Sequence, residues 1–216
     1  MERIIQIAID GPAGAGKSTV AKKIAEKLNI LYLDTGAMYR SVTYCGIKNH
    51  VRGNDDKALK TLFENMTIDF AEGKLLLNGK DISAEIRTPE VETQVSEFAA
   101  NPLVREKLVE MQRKIAAGRS VVMEGRDIGT VVLKDTPHKF FLNATVEIRA
   151  NRRLRQNQRS ANLQTIKQEI ERRDRIDSSR EKDPLSIAPG STVIDTSELT
   201  LDEVVALILK SVSEEE

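Results

Sequence analysis

The sequence contains no tryptophan, a single cysteine and only 4% aromatic residues. A lone cysteine, Cys45, closes no disulfide within the chain, so this is no disulfide scaffold and a reducing, cytoplasmic setting is expected. Cys45 lies in the apolar stretch from Val42 to Ile47, where burial in a core is the usual fate of a free thiol. Net charge is also missing: 33 lysines and arginines balance 33 aspartates and glutamates. A neutral chain this poor in stacking rings lacks the footprint of a nucleic-acid-binding protein. No run of about 18 apolar residues is present, so no membrane-spanning helix is expected. The amino terminus enters a strand pattern directly, without the charged and apolar regions of a signal peptide. The two histidines, His50 and His138, belong to no catalytic or metal-binding pattern and are given no role.

What is present is alternation. The 216 residues suit one mid-sized domain with embellishments. Short apolar runs at Ile4–Ile9, Ile30–Leu33, Ser120–Met123, Phe140–Leu142 and Val193–Ile194 alternate with helix-like segments, the pattern of βαβ units around a parallel sheet buried on both faces. Val20, Ile24 and Leu28 repeat every four residues on one helix face. Asn101-Pro102 reads as a helix start, with Val104, Leu108, Met111 and Ile115 on one face and Gly118 at the end. Thr200 and Glu203 form a capping box before Val204, Leu207 and Ile208, and the tail Glu214-Glu215-Glu216 is expected to fray. One stretch breaks the alternation. Met66–Phe70 and Lys74–Leu77, joined at Glu72-Gly73 and followed by the turn Asn78-Gly79, have no helix between them and predict a small antiparallel insert over about 63–86.

Gly11-Pro12-Ala13-Gly14-Ala15-Gly16-Lys17-Ser18 matches G-x-x-x-x-G-K-[ST] in full, between a strand and a helix as the motif requires. Its glycines let backbone N–H groups converge on phosphate oxygens, and the helix start adds partial positive charge. Lys17 would reach the β- and γ-phosphates, the Ser18 hydroxyl would bind Mg²⁺, and Thr19 completes the ATP-binding segment. Neither D-x-x-G nor N-K-x-D occurs, which removes the switch GTPases. The strand Val121-Val122-Met123 runs into Glu124-Gly125-Arg126-Asp127 rather than the Walker-B aspartate of a motor ATPase. A small-molecule kinase remains, and it needs an acceptor site. Asp34-Thr35-Gly36-Ala37-Met38-Tyr39-Arg40 and Glu124-Gly125-Arg126-Asp127-Ile128-Gly129-Thr130 each follow a strand, where open α/β sheets bind ligands, and each delivers an arginine suited to a phosphate.

The strings G-P-A-G-A-G-K-S, D-T-G-A-M-Y-R, G-R-D-I-G-T-V-V and R-R-D-R-I-D-S-S-R together resemble those of the bacterial cytidylate kinases. The resemblance covers essentially the whole chain, and the β-insert is similar to the one that sets this type apart from shorter nucleoside monophosphate kinases. It implies an α/β P-loop three-layer fold with a five-stranded parallel sheet, a small antiparallel insert and an arginine-rich helical lid. Within a single domain it implies a core of about 1–34, 117–147 and 181–216, an acceptor-binding region of about 35–116 and a lid of about 148–180. The implied reaction moves the γ-phosphoryl of MgATP to CMP or dCMP, by a monomer. Arg40 and Arg126 would hold the acceptor phosphate, with Thr35 beside the acceptor. Ser96, Arg105 and Asp127 would face the cytosine edge, Arg173 and Asp177 the ribose, and Arg180 the phosphates. The residue chemistry agrees: an aspartate accepts from the cytosine amino group, where uracil offers only an acceptor. Arg173, Asp177 and Arg180 also share one helix face at i, i+4 and i+7. UMP, AMP and shikimate stay open as alternative acceptors on residue chemistry alone.

From Glu147 to Arg180 arginine is dense: Arg149, Arg152, Arg153, Arg155, Arg159, Arg172, Arg173, Arg175 and Arg180. A solvated helix face is the ordinary fate of such a run. Here the polar stretch Asn157 to Asn162 separates two helical arms, and the expectation is a lid closing over ATP. A loose phosphoryl-transfer transition state needs cationic stabilisation, and one arginine can supply about 10³–10⁵ in rate. Arg153, then Arg149, are the candidates, alongside Lys17 and Arg126.

Overall fold

The structure is a computed structural model that describes residues 3–71, 74–156 and 162–214. In chain order its elements are β1 (Gln6–Asp10), α1 (Lys17–Leu28), β2 (Leu31–Asp34), α2 (Thr35–Lys48), α3 (Asp56–Glu64), β3 (Ile68–Ala71), β4 (Lys74–Leu77), β5 (Lys80–Asp81), α4 (Pro89–Ala100), α5 (Pro102–Ala116), β6 (Val121–Gly125), β7 (His138–Asn143), α6 (Val146–Gln156), α7 (Leu163–Ser178), β8 (Thr192–Asp195) and α8 (Leu201–Glu214). A short 3₁₀ turn, Glu85–Arg87, precedes α4, and a π-helical turn, Ile128–Val132, follows β6. The described residues fall into two compact units, one drawn from 1–33 and 115–216, the other from 34–114. No helix among the described residues is long and apolar enough to cross a membrane.

The first unit is built on a five-stranded parallel sheet in the order β2-β6-β1-β7-β8. All five expected strands are present, each within two residues of its expected start. β1 lies in the middle, with Asp10 opposite Gly125 on one side and Phe141 on the other. Its alternation is absent because both faces are covered: Ile7, Ala8 and Ile9 are fully buried. Val20, Ala21 and Ile24 of α1 pack with Ile7, Ile9, Val122, Phe140 and Leu142 of the sheet and with Val204, Val205 and Ile208 of α8. Each such aliphatic side chain contributes roughly 1.5–3 kcal/mol by leaving water. Leu207 departs from the expected stripe at 48% exposure. The buried face of α8 runs through Val204, Val205, Ile208 and Val212, which turns Leu207 outward. The Thr200–Glu203 capping box is formed, with Thr200 N–H donating to Glu203 Oε2 at 2.8 Å. α6 and α7 pack on each other through Ala150, Ile166 and Ile170.

The second unit carries the insert. β3 and β4 pair antiparallel, Ile68 opposite Leu77, and Asn78 and Gly79 adopt positive φ at the turn that follows. A two-residue strand, β5, extends the insert to three strands. It is too short to carry any sequence period. α3 also falls where no element was expected, capped by Asp55, which accepts from Ala58 N–H at 3.0 Å. Asn101 caps α5 through 2.8 and 3.3 Å bonds from Leu103 and Val104 N–H, as Asn101-Pro102 predicts. The expected turn at Glu72-Gly73, most of the polar stretch from Asn157 (157–161, with Arg159) and the tail residues Glu215 and Glu216 lie outside the described residues.

Candidate active site

The phosphate-binding loop leaves β1 at Asp10 and enters α1 at Lys17. Gly11 sits at φ 144°, and a Cβ there would lie 2.0 Å from the Leu142 carbonyl oxygen, so no other residue fits. Gly16 caps α1 with no side-chain acceptor, which leaves the first N–H groups of the helix for an anion. Ser18 and Thr19 are exposed on that first turn. Lys17 is 6% exposed and donates from Nζ to the Pro12 carbonyl at 2.7 Å. Burial, reinforced by the nearby Arg126 charge, pushes the Lys17 ammonium down to about 7 against the opposing pull of Glu124, Asp10 and Asp177.

Buried carboxylates organise the surroundings of the loop, and one of them, Asp10, lies outside every quoted motif. Asp10 is buried and accepts from Ile128 N–H at 2.8 Å and Gly129 N–H at 2.7 Å, holding the π-helical turn that begins beside Asp127. Burial raises its carboxyl to about 6, although both N–H bonds act the other way. Asp127 is itself buried and stands at the start of that turn, with no side-chain hydrogen bond capping it. Glu124, also buried, accepts from the Tyr32 hydroxyl at 2.5 Å. The sequence signal for Asp10 was only its place at a strand end before a glycine.

Arg126 follows Gly125 at the end of β6, so it emerges beside the start of the loop. Its Nε donates to Asp177 Oδ2 at 2.8 Å, and Arg180 Nη2 approaches Asp177 Oδ1 at 3.1 Å. Burial works against the charge on Arg126, but the carboxylates of Asp177, Asp174 and Glu124 more than compensate and raise its pKa. Burial likewise opposes ionisation of Asp177, and Arg126, Arg180 and Arg173 overcome it, holding the carboxyl below its ordinary value. The structure thus brings together Lys17, Arg126, Arg173, Asp177 and Arg180. Among the α6 arginines, Arg149 is 5% exposed and donates to the carbonyls of Ala144 and Ala13, each at 2.9 Å, and to Asp174 at 2.5 Å. Arg152 donates to Thr196 Oγ1 at 2.8 Å, whereas Arg153 is half-buried.

Thr35, Arg40, Ser96 and Arg105 belong to the second unit, and all but Arg40 are buried. Asp34 caps α2 through a 2.8 Å bond from Ala37 N–H and accepts from Arg40 Nη2 at 2.9 Å. The D-T-G-A-M-Y-R string is therefore a strand end, a cap and a first helical turn. Arg40 Nε is buried with no hydrogen-bond partner among the described residues. Arg105 is fully buried, donates to the Ala99 carbonyl at 3.2 Å and lies 5.6 Å from the Tyr39 ring centroid.

A family model described as cytidylate kinase matches residues 7–214. The chain belongs to the cytidylate kinase family. A cytidylate kinase of Clostridium botulinum (strain Loch Maree / Type A3) is 50% identical over 204 residues, covering 93% of this chain and 94% of the relative. A cytidylate kinase of Clostridium acetobutylicum is 47% identical over 213 residues (97% and 98%), and one of Bacillus cytotoxicus 46% over 221 residues (99% and 98%). Among solved structures, an uncharacterized protein from Eubacterium ventriosum aligns with a TM-score of 0.56 at 16% identity, covering 97% and 98% of the two chains. A gluconokinase from Sinorhizobium meliloti aligns at 0.50 and 14%, covering 98% and 94%. These two likenesses establish the fold of the kinase. The sequence identities establish its family.

Proposed function

We propose that the protein transfers the γ-phosphoryl of MgATP to CMP or dCMP, releasing ADP and CDP or dCDP. The observation that carries this reading is the pair of cations Lys17, buried at the first residue of α1, and Arg126, half-buried just past the end of β6, beside a helix start with no side-chain cap. Burying the Lys17 ammonium beside a second cation that repels it is costly unless anions are to be bound there. Gly11 to Thr19 would hold the ATP phosphates. For the acceptor, the family resemblance gives roles to Arg126, Asp127, Arg173, Asp177 and Arg180, and to Thr35, Arg40, Ser96 and Arg105. The partnerless Nε of Arg40 supports a phosphate role, since a phosphate oxygen would satisfy it. The burial of Asp127 supports base reading, since a carboxylate that loses its amino-group partner is penalised most where water is absent.

An oxygen of the acceptor phosphate attacks the γ-phosphorus as the bond to the ADP oxygen breaks. The acceptor is already an anion, so no general base is required. Lys17 and the arginines would balance the charge on the transferring oxygens, and closure of α6 and α7 as a lid would exclude water. The donor chemistry suits Mg²⁺: Ser18 offers an exposed hydroxyl on the first turn of α1, where the ATP phosphates would lie. When bound, the ion neutralises the β- and γ-phosphate oxygens. The family resemblance also points to a cytoplasmic monomer.

The test is a coupled ADP-release assay with MgATP and, in turn, CMP, dCMP, UMP, AMP and no acceptor. Turnover with CMP and dCMP far above UMP is expected. Strong UMP or AMP turnover would overturn the base reading, and acceptor-independent ADP release would overturn the kinase reading.

A further inference from the structure

We infer that Asp174, which lies within R-R-D-R-I-D-S-S-R but is given no role by it, is a positioning residue of the transfer reaction: it locks the phosphate-binding loop to α6 and α7 by closing a ring with Ala13 and Arg149. Asp174 Oδ1 accepts from Ala13 N–H at 3.3 Å, and Oδ2 accepts from Arg149 Nη1 at 2.5 Å. The same Arg149 Nη1 donates to the Ala13 carbonyl at 2.9 Å. Both backbone polar groups of one loop residue are therefore held by a single ion pair, across 136 and 161 residues of sequence. Arg149 Nε is anchored separately on the Ala144 carbonyl at 2.9 Å, which fixes the plane of the guanidinium. The next loop residue leaves no slack: a Cβ on Gly14, at φ 79°, would lie 3.0 Å from Arg149 Cβ and 3.1 Å from its carbonyl oxygen.

This ring gives Arg149 a different task from that expected of a lid arginine. Nε and Nη1 are already engaged with protein oxygens, so Arg149 holds the loop, and Arg153 is the better candidate for the transferring phosphoryl. Asp174 stands one helical turn before Asp177, whose carboxylate grips Arg126. One turn of α7 thus grips the donor loop with one carboxylate and a phosphate-binding arginine with the other. A reaction that depends on positioning is sensitive to such ties, since a displacement of about 1 Å can cost about 10²-fold in rate. The inference rests on the kinase reading above. Failure of the wild type to turn over CMP would sink that reading first, whereas failure of the variants to respond would sink this one alone.

The experiment is steady-state kinetics with MgATP and CMP on the full chain, for wild type, Asp174→Asn, Asp174→Glu, Arg149→Lys and the double variant Asp174→Asn/Arg149→Lys, with melting temperatures measured in parallel. Asp174→Asn should raise KM for ATP about tenfold, as loss of a charge-assisted bond implies, with a smaller change in kcat; because it strands the shielded Arg149 charge, a lower melting temperature is also expected. Asp174→Glu, which keeps the charge, should recover part of that loss. The double variant should be no worse than the worse single variant, because both remove one interaction. An ATP KM within about twofold of wild type in Asp174→Asn, or losses that multiply in the double variant, would overturn the inference. If Asp174→Asn does not fold, Asp174→Glu decides: a several-fold rise in ATP KM at the wild-type melting temperature supports the ring, and unchanged kinetics overturn it.

Discussion

Arg126 and Asp177 meet in a 2.8 Å bond from Nε to Oδ2, joining the end of β6 to α7 across 51 residues of sequence. Their side chains keep 19% and 7% of their exposure. Breaking one half of a shielded ion pair leaves the other charge stranded, which costs about 3–5 kcal/mol. Asp177→Ala should therefore lower the unfolding free energy by about 3 kcal/mol, the lower end because Arg126 retains some water. Urea titration measures this, and a loss below about 0.5 kcal/mol would show that the pair does not matter for stability. A carboxyl whose pKa is depressed in the fold contributes stability above its unfolded value and loses it as pH falls through the folded one. The Asp177 contribution should hold from neutral pH down to about 4 and fade in stronger acid.

Asp10 has the opposite sign. Its carboxyl is raised from 3.8 to about 6 by burial, so the folded chain holds this proton more tightly than the unfolded chain does. Stability contributed by this group falls as pH rises from about 4 to 6 and is flat above, a change of about 3 kcal/mol at 1.36 kcal/mol per unit. Denaturation curves for wild type and Asp10→Asn between pH 3.5 and 7 should differ in slope across that window (a range of about three units). Parallel slopes would show that Asp10 titrates normally.

Lys17 stands at about 7 because burial and Arg126 disfavour its charge. A bound polyphosphate supplies the missing anions and should restore the ammonium. ATP binding near pH 7 is then expected to take up a fraction of a proton. Calorimetry in two buffers of different ionisation enthalpy reads that uptake directly, and Lys17→Met should abolish both the uptake and phosphoryl transfer.

Asp127 is the residue through which the base is expected to be read. Asp127→Ala should reduce the preference for CMP over UMP by about 10²-fold or more, because discrimination built on a buried hydrogen bond disappears with its acceptor. Unchanged selectivity in the acceptor panel would move base reading to Ser96 and Arg105.

Contiguous features were legible in the sequence. The loop from Gly11 to Ser18, the Thr200–Glu203 box and the Asn101 cap depend on residues within a few positions of one another, and their chemistry is complete in the string. The groups that hold the site are not of this kind. Asp10 acts on Ile128 and Gly129 from 118 and 119 residues away, and Asp174 on Ala13 from 161. Thr196, whose hydroxyl meets the carbonyls of Ala15 and Asn143, carries no sequence signal at all. A carboxylate in a helix that also contains Arg172, Arg173 and Arg175 looks like half of a surface pair until the tertiary fold aims it at a backbone amide. β5 was hidden for a local reason, being too short for a period to stand out, whereas α3 carried a signal that was missed: an Asp55 cap followed by Leu59 and Leu62 on one face.

The central place of β1 sets an order of events in synthesis. The phosphate-binding loop is made well before the strands that flank β1, which begin at Val121 and His138. At about 5–20 residues per second the loop waits roughly 5–22 s for its first neighbour. The unit of residues 34–114 is meanwhile one unbroken stretch that needs no later residue for its β3-β4-β5 ladder. A ribosome-bound chain halted before β6 would thus carry a finished nucleotide-binding motif in its sequence and no sheet to hold it, so nucleotide capture marks the end of folding and not its beginning.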